Sequence, residues 1–217
     1  MPVAAARAIP YPLTKRFFDR GVGALLILLL SPVFLLMFFV LAVDMVFVPS
    51  DRGRWLYRER RISRGRAFDI LKFRVLREDV LADVESRNDG YARLYERDHA
   101  NLTKAGRIIK RIYVDELPQL VNVLRGDISL VGPRPWPVPM VERQVAEGQD
   151  YRLHVIAGWT GPAQVRKDSH AKVQATEFDL QYVERCRSLS GPKLLWHDLK
   201  LLGQSLRTVL RGRGLRY

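Results

Sequence analysis

From Gly21 to Val43 the chain carries no charged residue, and its 23 positions are dominated by Leu, Val, Phe and Met. As a helix at ~1.5 Å per residue such a run reaches roughly 34 Å, close to the ~30 Å hydrocarbon thickness of a bilayer. A core helix of a soluble protein is seldom uncharged over that length, and a cleaved leader would need a shorter apolar block and a small-residue cleavage site before Asp51. Near the middle stand Ser31 and Pro32. Pro32 has no N–H, so the Leu28 carbonyl loses its helical donor and the ring pushes the preceding turn apart. Ser31 is placed to bond back to the Ile27 carbonyl and deepen the bend. Lys15, Arg16 and Arg20 precede the run, and Arg52, Arg54, Arg58, Arg60 and Arg61 follow it. Positive charge marks the cytoplasmic side, and here both ends carry it. A re-entrant helix-break-helix hairpin that enters and leaves through one leaflet satisfies both ends, and is favoured over a span.

The charge balance adds a second constraint. Lys and Arg number 36 against 23 Asp and Glu, a net +13, which favours polyanionic partners: nucleic acid, phospholipid headgroups or phosphorylated substrates. A single cysteine, Cys186, excludes an intrachain disulfide and agrees with a cytoplasmic setting. The four histidines are scattered, with no metal-ligand spacing, so a zinc site is not expected.

Residues 1–50 therefore read as an interfacial and re-entrant membrane segment, and residues 51–217 as a catalytic-sized cytoplasmic domain. The expected class is α+β, mostly helical with a short strand region. Residues 52–76 are strand-rich around the turn-like Ser63-Arg64-Gly65, and 77–100 read as a solvated helix or a mobile insertion. Leu117, Leu120, Val121 and Leu124 predict a short helix over 116–125, ended by Gly126. A C-terminal stripe of Leu195, Leu199, Leu202, Leu206 and Val209, with Lys193, Lys200, Arg207 and Arg211 on another side, suits either an anionic membrane surface or packing on the domain.

The chemistry-bearing stretch is Tyr113-Val114-Asp115-Glu116-Leu117-Pro118-Gln119-Leu120. Two adjacent carboxylates precede the short helix, with Pro118 in its first turn, where a missing N–H costs nothing. When this segment stands alone, ordinary acidic capping is the favoured explanation of the pair. The chain then passes through Gly132 into Pro133-Arg134-Pro135, where two prolines fix the backbone around one guanidinium, a planar fork suited to phosphate. Lys72, Arg74, Arg107, Lys110 and Arg111 offer further cations for an anion pocket. Carboxylates with fixed cations beside a membrane anchor suit phosphoryl chemistry: Mg²⁺ on oxygen ligands neutralises a diphosphate, and a carboxylate attacks phosphorus. Neither common Gly-rich phosphate loop occurs.

With these motifs the sequence resembles the bacterial sugar transferase family, the monotopic polyprenyl-phosphate phosphoglycosyl transferases. The resemblance runs from about residue 13 to about 210. It covers Lys15-Arg16-Phe17-Phe18-Asp19, Ser31-Pro32, Tyr57-Arg58, Lys72-Phe73-Arg74, Asp115 to Leu120, Arg125-Gly126-Asp127, Ser129 to Pro135, Thr160-Gly161, Ala163-Gln164-Val165 and Asp179-Leu180-Gln181-Tyr182-Val183. The resemblance implies a helix broken at Ser31-Pro32 and a catalytic Asp115-Glu116 dyad that also serves Mg²⁺. Asp115 would take up a sugar phosphate from a UDP-sugar, release UMP and pass the sugar phosphate to undecaprenyl phosphate. It further implies substrate binding by Lys72, Arg74, Lys110, Arg134 and Gln164, an anionic phospholipid surface as partner, and placement at the cytoplasmic face of a bacterial inner membrane. The extra spans and regulatory domain of longer relatives find no match in these motifs, so the resemblance implies, as an expectation, the minimal catalytic form. Tyr113-Val114 before the dyad, Val75-Leu76 after Lys-Phe-Arg, and Ile156 to Pro162 depart from the usual pattern and bear on sugar preference. A membrane-tethered scaffold would share the anchor and the charge but has no reason to carry the dyad with Arg134. Nucleic-acid binding has the charge without a motif and is not expected.

Overall fold

A computed structural model describes residues 8–86, 92–165 and 172–210. The chain is α+β, mostly helical with four short strands among those residues. In order, the elements are α1 (Leu13–Leu29), α2 (Ser31–Phe47), β1 (Leu56–Ser63), β2 (Arg66–Phe73), α3 (Glu78–Ser86), α4 (Ala92–Tyr95), α5 (Lys104–Arg111), α6 (Gln119–Arg125), β3 (Ser129–Val131), α7 (Val138–Ala146), α8 (Tyr151–His154), β4 (Gly158–Thr160), α9 (Pro162–Val165), α10 (Lys172–Ser188) and α11 (Gly191–Leu210). Interleaved stretches form two compact units: residues 1–24, 61–68 and 122–217 make the first, and 25–60 with 69–121 the second. This division follows contacts and does not coincide with the boundary at residue 50, which separates apolar from polar chain.

The uncharged run is two helices, α1 and α2, bent by 57° across a one-residue break at Leu30. Among the described residues no single helix is long and apolar enough to cross a membrane. Ser31 does not reach back to Ile27. Its hydroxyl donates to the Leu28 carbonyl at 2.8 Å, the carbonyl that Pro32 leaves without an N–H partner. Ser31 and Pro32, the first two residues of α2, thus act together just after the break, one replacing the donor that the other lacks.

In the second unit α2 packs through a narrow stripe, Met37, Leu41 and Asp44, onto a core that includes Phe73, Leu76, Leu81, Val84, Leu102 and Ile109. Leu35, Leu36, Phe39, Val46 and Phe47 on its other faces are exposed. The strand-rich reading of 52–76 holds: β1 and β2 pair through a tight turn in which Arg64 (φ 49) and Gly65 (φ 72) are both left-handed, the backbone a two-residue hairpin requires. The charged stretch after it is less solvated than its composition suggests, because α3 buries Leu81 and Val84.

In the first unit β3 and β4 pair in parallel, Ser129 with Gly158 and Val131 with Thr160. A side chain at Gly158 would collide with the Gly132 backbone, so this approach needs glycine. The Lys15-to-Asp19 motif anchors β3. Lys15 Nζ pairs with Asp198 and donates to the Val131 carbonyl, while Asp19 accepts from the Ser129 hydroxyl at 2.6 Å and the Leu130 amide at 3.3 Å. Pairing Asp198 with Lys15 and Tyr182 draws in the face of α11 that carries Leu194, Asp198 and Leu201, one position off the predicted apolar stripe. Trp196, Leu199 and Leu206 stay exposed, with Lys200 Nζ 5.3 Å from the Trp196 ring centre. Val209 and Arg211, at the end of the predicted stripes, lie outside the described side chains.

Candidate active site

Helix α5 ends one turn before the two carboxylates, and how it ends sets their place. Tyr113 takes a left-handed backbone, φ 59, which is unusual for a residue with a Cβ. Its N–H donates to the Lys110 carbonyl at 3.1 Å, and the Val114 N–H to the Ile109 carbonyl at 3.3 Å. This is the paired C-terminal bonding that usually employs glycine. The chain leaves α5 sharply, and the Asp115 carbonyl then accepts the Phe73 N–H at 2.9 Å. That bond sets the Lys72-Phe73-Arg74 strand beside the carboxylate pair.

The predicted helix over 116–125 begins later, at Gln119. Leu117, Gln119, Leu120 and Val121 each donate to the carbonyl three residues back, so 115–118 forms tight turns and α6 follows them. Asp115 and Glu116 therefore lie in a turn ahead of α6 and do not cap its first helical residue.

Electrostatics distinguish this turn from an ordinary acidic cap. Burial pushes the Asp115 carboxyl up to about 6, the negative charges of Glu116 and Glu96 push in the same direction, and Lys72 opposes them. At Glu96 burial also favours the neutral acid, but Lys72 and Lys110 outweigh it and hold that carboxyl below its usual range. Lys110 Nζ donates to Glu96 Oε2 at 2.7 Å and to the Glu96 carbonyl at 3.0 Å. Lys72, 6 % exposed, faces both Asp115 and Glu96. The second unit thus brings together Asp115, Glu116, Lys72 and Lys110, with Glu96 as a third carboxylate.

Arg74 departs from expectation. It is fully buried, and its guanidinium donates to the Arg54 carbonyl at 2.6 Å, the Leu76 carbonyl at 3.0 Å and the Asp51 carbonyl. This placement makes it a clamp on the backbone instead of the anion ligand expected. Arg134 and Gln164 belong to the first unit. Arg134 is half-buried between the buried Pro133 and Pro135. The Gln164 Oε1 is buried without a hydrogen-bond partner among the described residues, while the Gln164 backbone N–H donates to the Gly161 carbonyl at 3.0 Å. Among described residues such an orphan acceptor calls for a ligand donor or water.

Two residues escaped the sequence reading. Glu96 lay in a stretch whose charged composition resembled solvated helix, and nothing in its spacing marked it. Gln119 stood inside the Asp-Glu-Leu-Pro-Gln run, yet it is 1 % exposed and its side-chain nitrogen has no partner among the described residues.

Among the described residues no three His, Cys, Asp or Glu side chains form a metal cage. Mg²⁺ commonly binds one or two carboxylates and completes its shell with substrate phosphate oxygens and water. The Asp115-Glu116 pair fits that mode, and the Asp115 carboxyl, raised first by burial and then by the Glu116 charge, is one that a cation would favour in its ionised form.

Comparison with known proteins agrees with this chemistry. The profile described as bacterial sugar transferase matches residues 10–212. The chain is 36% identical over 208 residues to the UDP-glucose:undecaprenyl-phosphate glucose-1-phosphate transferase of Caulobacter vibrioides, covering 91% of this chain and 68% of that protein. It is 34% identical over 212 residues to the undecaprenyl-phosphate galactose phosphotransferase of Salmonella typhimurium, covering 92% of this chain and 41% of that one. The same identity and length hold against the UDP-glucose:undecaprenyl-phosphate glucose-1-phosphate transferase of Escherichia coli, covering 92% and 40%. The chain spans about two fifths of the length of several relatives it matches.

In metal-free protein the Asp115 carboxyl should titrate near 6, well above an ordinary carboxylate. Carbon-13 NMR of labelled aspartate should follow it, with Glu96→Gln lowering the midpoint and Lys72→Met raising it. A midpoint near 4 unaffected by either change would remove the electrostatic cluster described here.

Proposed function

This chain belongs to the bacterial sugar transferase family, and we propose that it transfers a sugar phosphate from a UDP-sugar to undecaprenyl phosphate, with Asp115 as nucleophile. The observation that carries this reading is the Asp115 carboxylate, taken partly out of water and faced by Glu116, Glu96 and Lys72. A carboxylate with a raised pKa is a better nucleophile once ionised than one in bulk water. The names of its relatives, which include glucose and galactose transferases, support a UDP-hexose donor and a polyprenyl phosphate acceptor.

The proposed chemistry runs in two displacements. An Asp115 oxygen attacks the phosphorus that bears the sugar, and the bond from that phosphorus to the bridging oxygen breaks. UMP leaves with the bridging oxygen, and the sugar phosphate stays on Asp115 as an acyl phosphate. A phosphate oxygen of undecaprenyl phosphate then attacks the same phosphorus, which restores the Asp115 carboxylate and yields the lipid diphosphate sugar. In the second unit Lys72 and Lys110 offset the diphosphate charge beside Asp115; within the first, the role proposed for Arg134 is to hold phosphate with its fork, and for Gln164 to accept from a hydroxyl or amide. Mg²⁺ held by Asp115 and Glu116 would neutralise diphosphate oxygens and ease the departure of UMP.

An acceptor with a polyprenyl tail must be met at a membrane. The bent α1–α2 pair, the exposed apolar faces of α2 and the basic flanks at both ends support a re-entrant hairpin in one leaflet of a bacterial inner membrane. The remainder would lie on the cytoplasmic face, beside anionic lipid.

Purified protein given Mg²⁺, undecaprenyl phosphate and a panel of UDP-sugars should release UMP with at least one donor, and Asp115→Asn should lower the rate by about three orders of magnitude or more. Wild-type-like turnover in that variant would falsify the nucleophile assignment. An N-terminal tag on the protein in inverted and right-side-out vesicles should label from the cytoplasmic face alone. Labelling from the outer face would establish a span and refute the hairpin.

A further inference from the structure

The motif Asp179-Leu180-Gln181-Tyr182-Val183 has no part in the chemistry above, yet Asp179 is buried and holds a charge that leads to the Pro133-Arg134-Pro135 turn. Its Oδ2 accepts from Arg152 Nη2 at 2.8 Å, both side chains being nearly buried, and from the Tyr151 hydroxyl at 3.2 Å. Arg152 spends its other donors in two directions. Nε donates to Gln144 Oε1 at 3.1 Å, and Nη1 donates to the Arg134 carbonyl at 2.6 Å. The guanidinium carbon also lies 4.1 Å from the centre of the Trp136 ring. A planar cation with four neighbours in different directions has one orientation.

The turn it touches is held at every carbonyl. The Pro133 carbonyl accepts from the Gly158 N–H at 2.9 Å, the Pro135 carbonyl from Arg61 Nη1 at 2.8 Å, and the Trp136 carbonyl from the Ile62 N–H at 3.1 Å. Prolines cannot donate, so this backbone must be fixed through its acceptors, and two of those four acceptors are taken by buried guanidinium groups. A buried ion pair is weak evidence for stability, because the desolvation of both charges offsets their attraction. What the Asp179–Arg152 pair does accomplish is directional: it delivers a charged donor to the main chain of the one residue whose side chain is to grip phosphate.

We propose that Arg152, anchored by Asp179 and stacked on Trp136, is a positioning residue that fixes the direction in which the Pro133-Arg134-Pro135 turn presents the Arg134 side chain. This rests on Arg134 binding phosphate in the proposed reaction. A lysine at 152 keeps the charge opposite Asp179 but offers a single point donor in place of the fork, so the turn loosens while the pair remains.

The test is a double-mutant cycle on the full chain in detergent, with kcat and KM measured by UMP release and unfolding temperature measured alongside. Arg134→Ala should lower kcat/KM about a hundredfold, Arg152→Lys about tenfold, and the double variant no further than Arg134→Ala alone. Trp136→Leu, which removes the ring but no charge, should reproduce a smaller loss that also vanishes in the Arg134→Ala background. It decides the matter if Arg152→Lys does not fold. Losses that multiply in the double variants, or folded Arg152→Lys and Trp136→Leu proteins with unchanged kinetics, overturn the inference and leave the proposed reaction standing. An Arg134→Ala protein with unimpaired kinetics overturns both the inference and the phosphate role of Arg134, and absence of UMP from wild-type protein overturns the reaction with it.

Discussion

Helix α5 spans only Lys104–Arg111, too short to persist alone, since isolated helices below about 12–15 residues are marginal in water. Its two ends are held from different parts of the second unit. At the start, the Asp44 carboxylate of α2 accepts the Ala105 N–H at 3.1 Å, Asp51 accepts the Lys104 N–H at 2.8 Å, and the Thr103 hydroxyl accepts the Gly106 N–H at 2.8 Å. Three of the otherwise orphaned amides are thereby satisfied. Gly106 lies so close to Val75 that a side chain would strike its backbone, and the Thr103 N–H donates to the Val75 carbonyl at 2.9 Å. At the other end the left-handed Tyr113 turns the chain out into Asp115. The carboxylate pair is placed by a helix whose first turn is capped in part from α2, through Asp44.

That arrangement lets a crowded acidic site exist at all. Three carboxylates, Asp115, Glu116 and Glu96, share the site with two ammonium groups; burial raises the Asp115 carboxyl, the charges of Glu116 and Glu96 add to it, and Lys72 opposes them. Backbone bonds hold the geometry: Phe73 to Asp115, Val114 to Ile109, and the clamp of Arg74 on three carbonyls. Strain at a left-handed tyrosine is tolerated where the surroundings over-determine it, as they do here.

Local signals in the sequence were legible because they act locally. The hairpin over 56–73 follows from aromatic and aliphatic runs around Arg64-Gly65, and the break at Leu30, directly before Ser31-Pro32, from one missing N–H. The Asp-Glu-Leu-Pro-Gln stretch announced the acidic pair. Long-range choices were not legible. Arg74 sits in a motif that suggests anion binding, but only the fold reveals three carbonyls within its reach. Glu96 gained its place through Lys110, 14 residues on, and Arg152 through Asp179, 27 residues on. The α11 stripe came out one position off because buried Asp198 pairs with Lys15, 183 residues away, and no periodicity encodes that partner.

Everything in the functional account returns to one oxygen of Asp115 reaching phosphorus. The most direct measurement is intact-protein and peptide mass spectrometry after brief exposure to the donor and Mg²⁺ with undecaprenyl phosphate withheld. The account predicts a mass gain of one sugar phosphate, mapped to the peptide bearing Asp115, labile to hydroxylamine and discharged when the lipid phosphate is added. A persistently unmodified Asp115 peptide in protein that releases UMP once undecaprenyl phosphate is supplied would mean that the phosphosugar reaches its acceptor without resting on this residue, and would contradict the account at its centre.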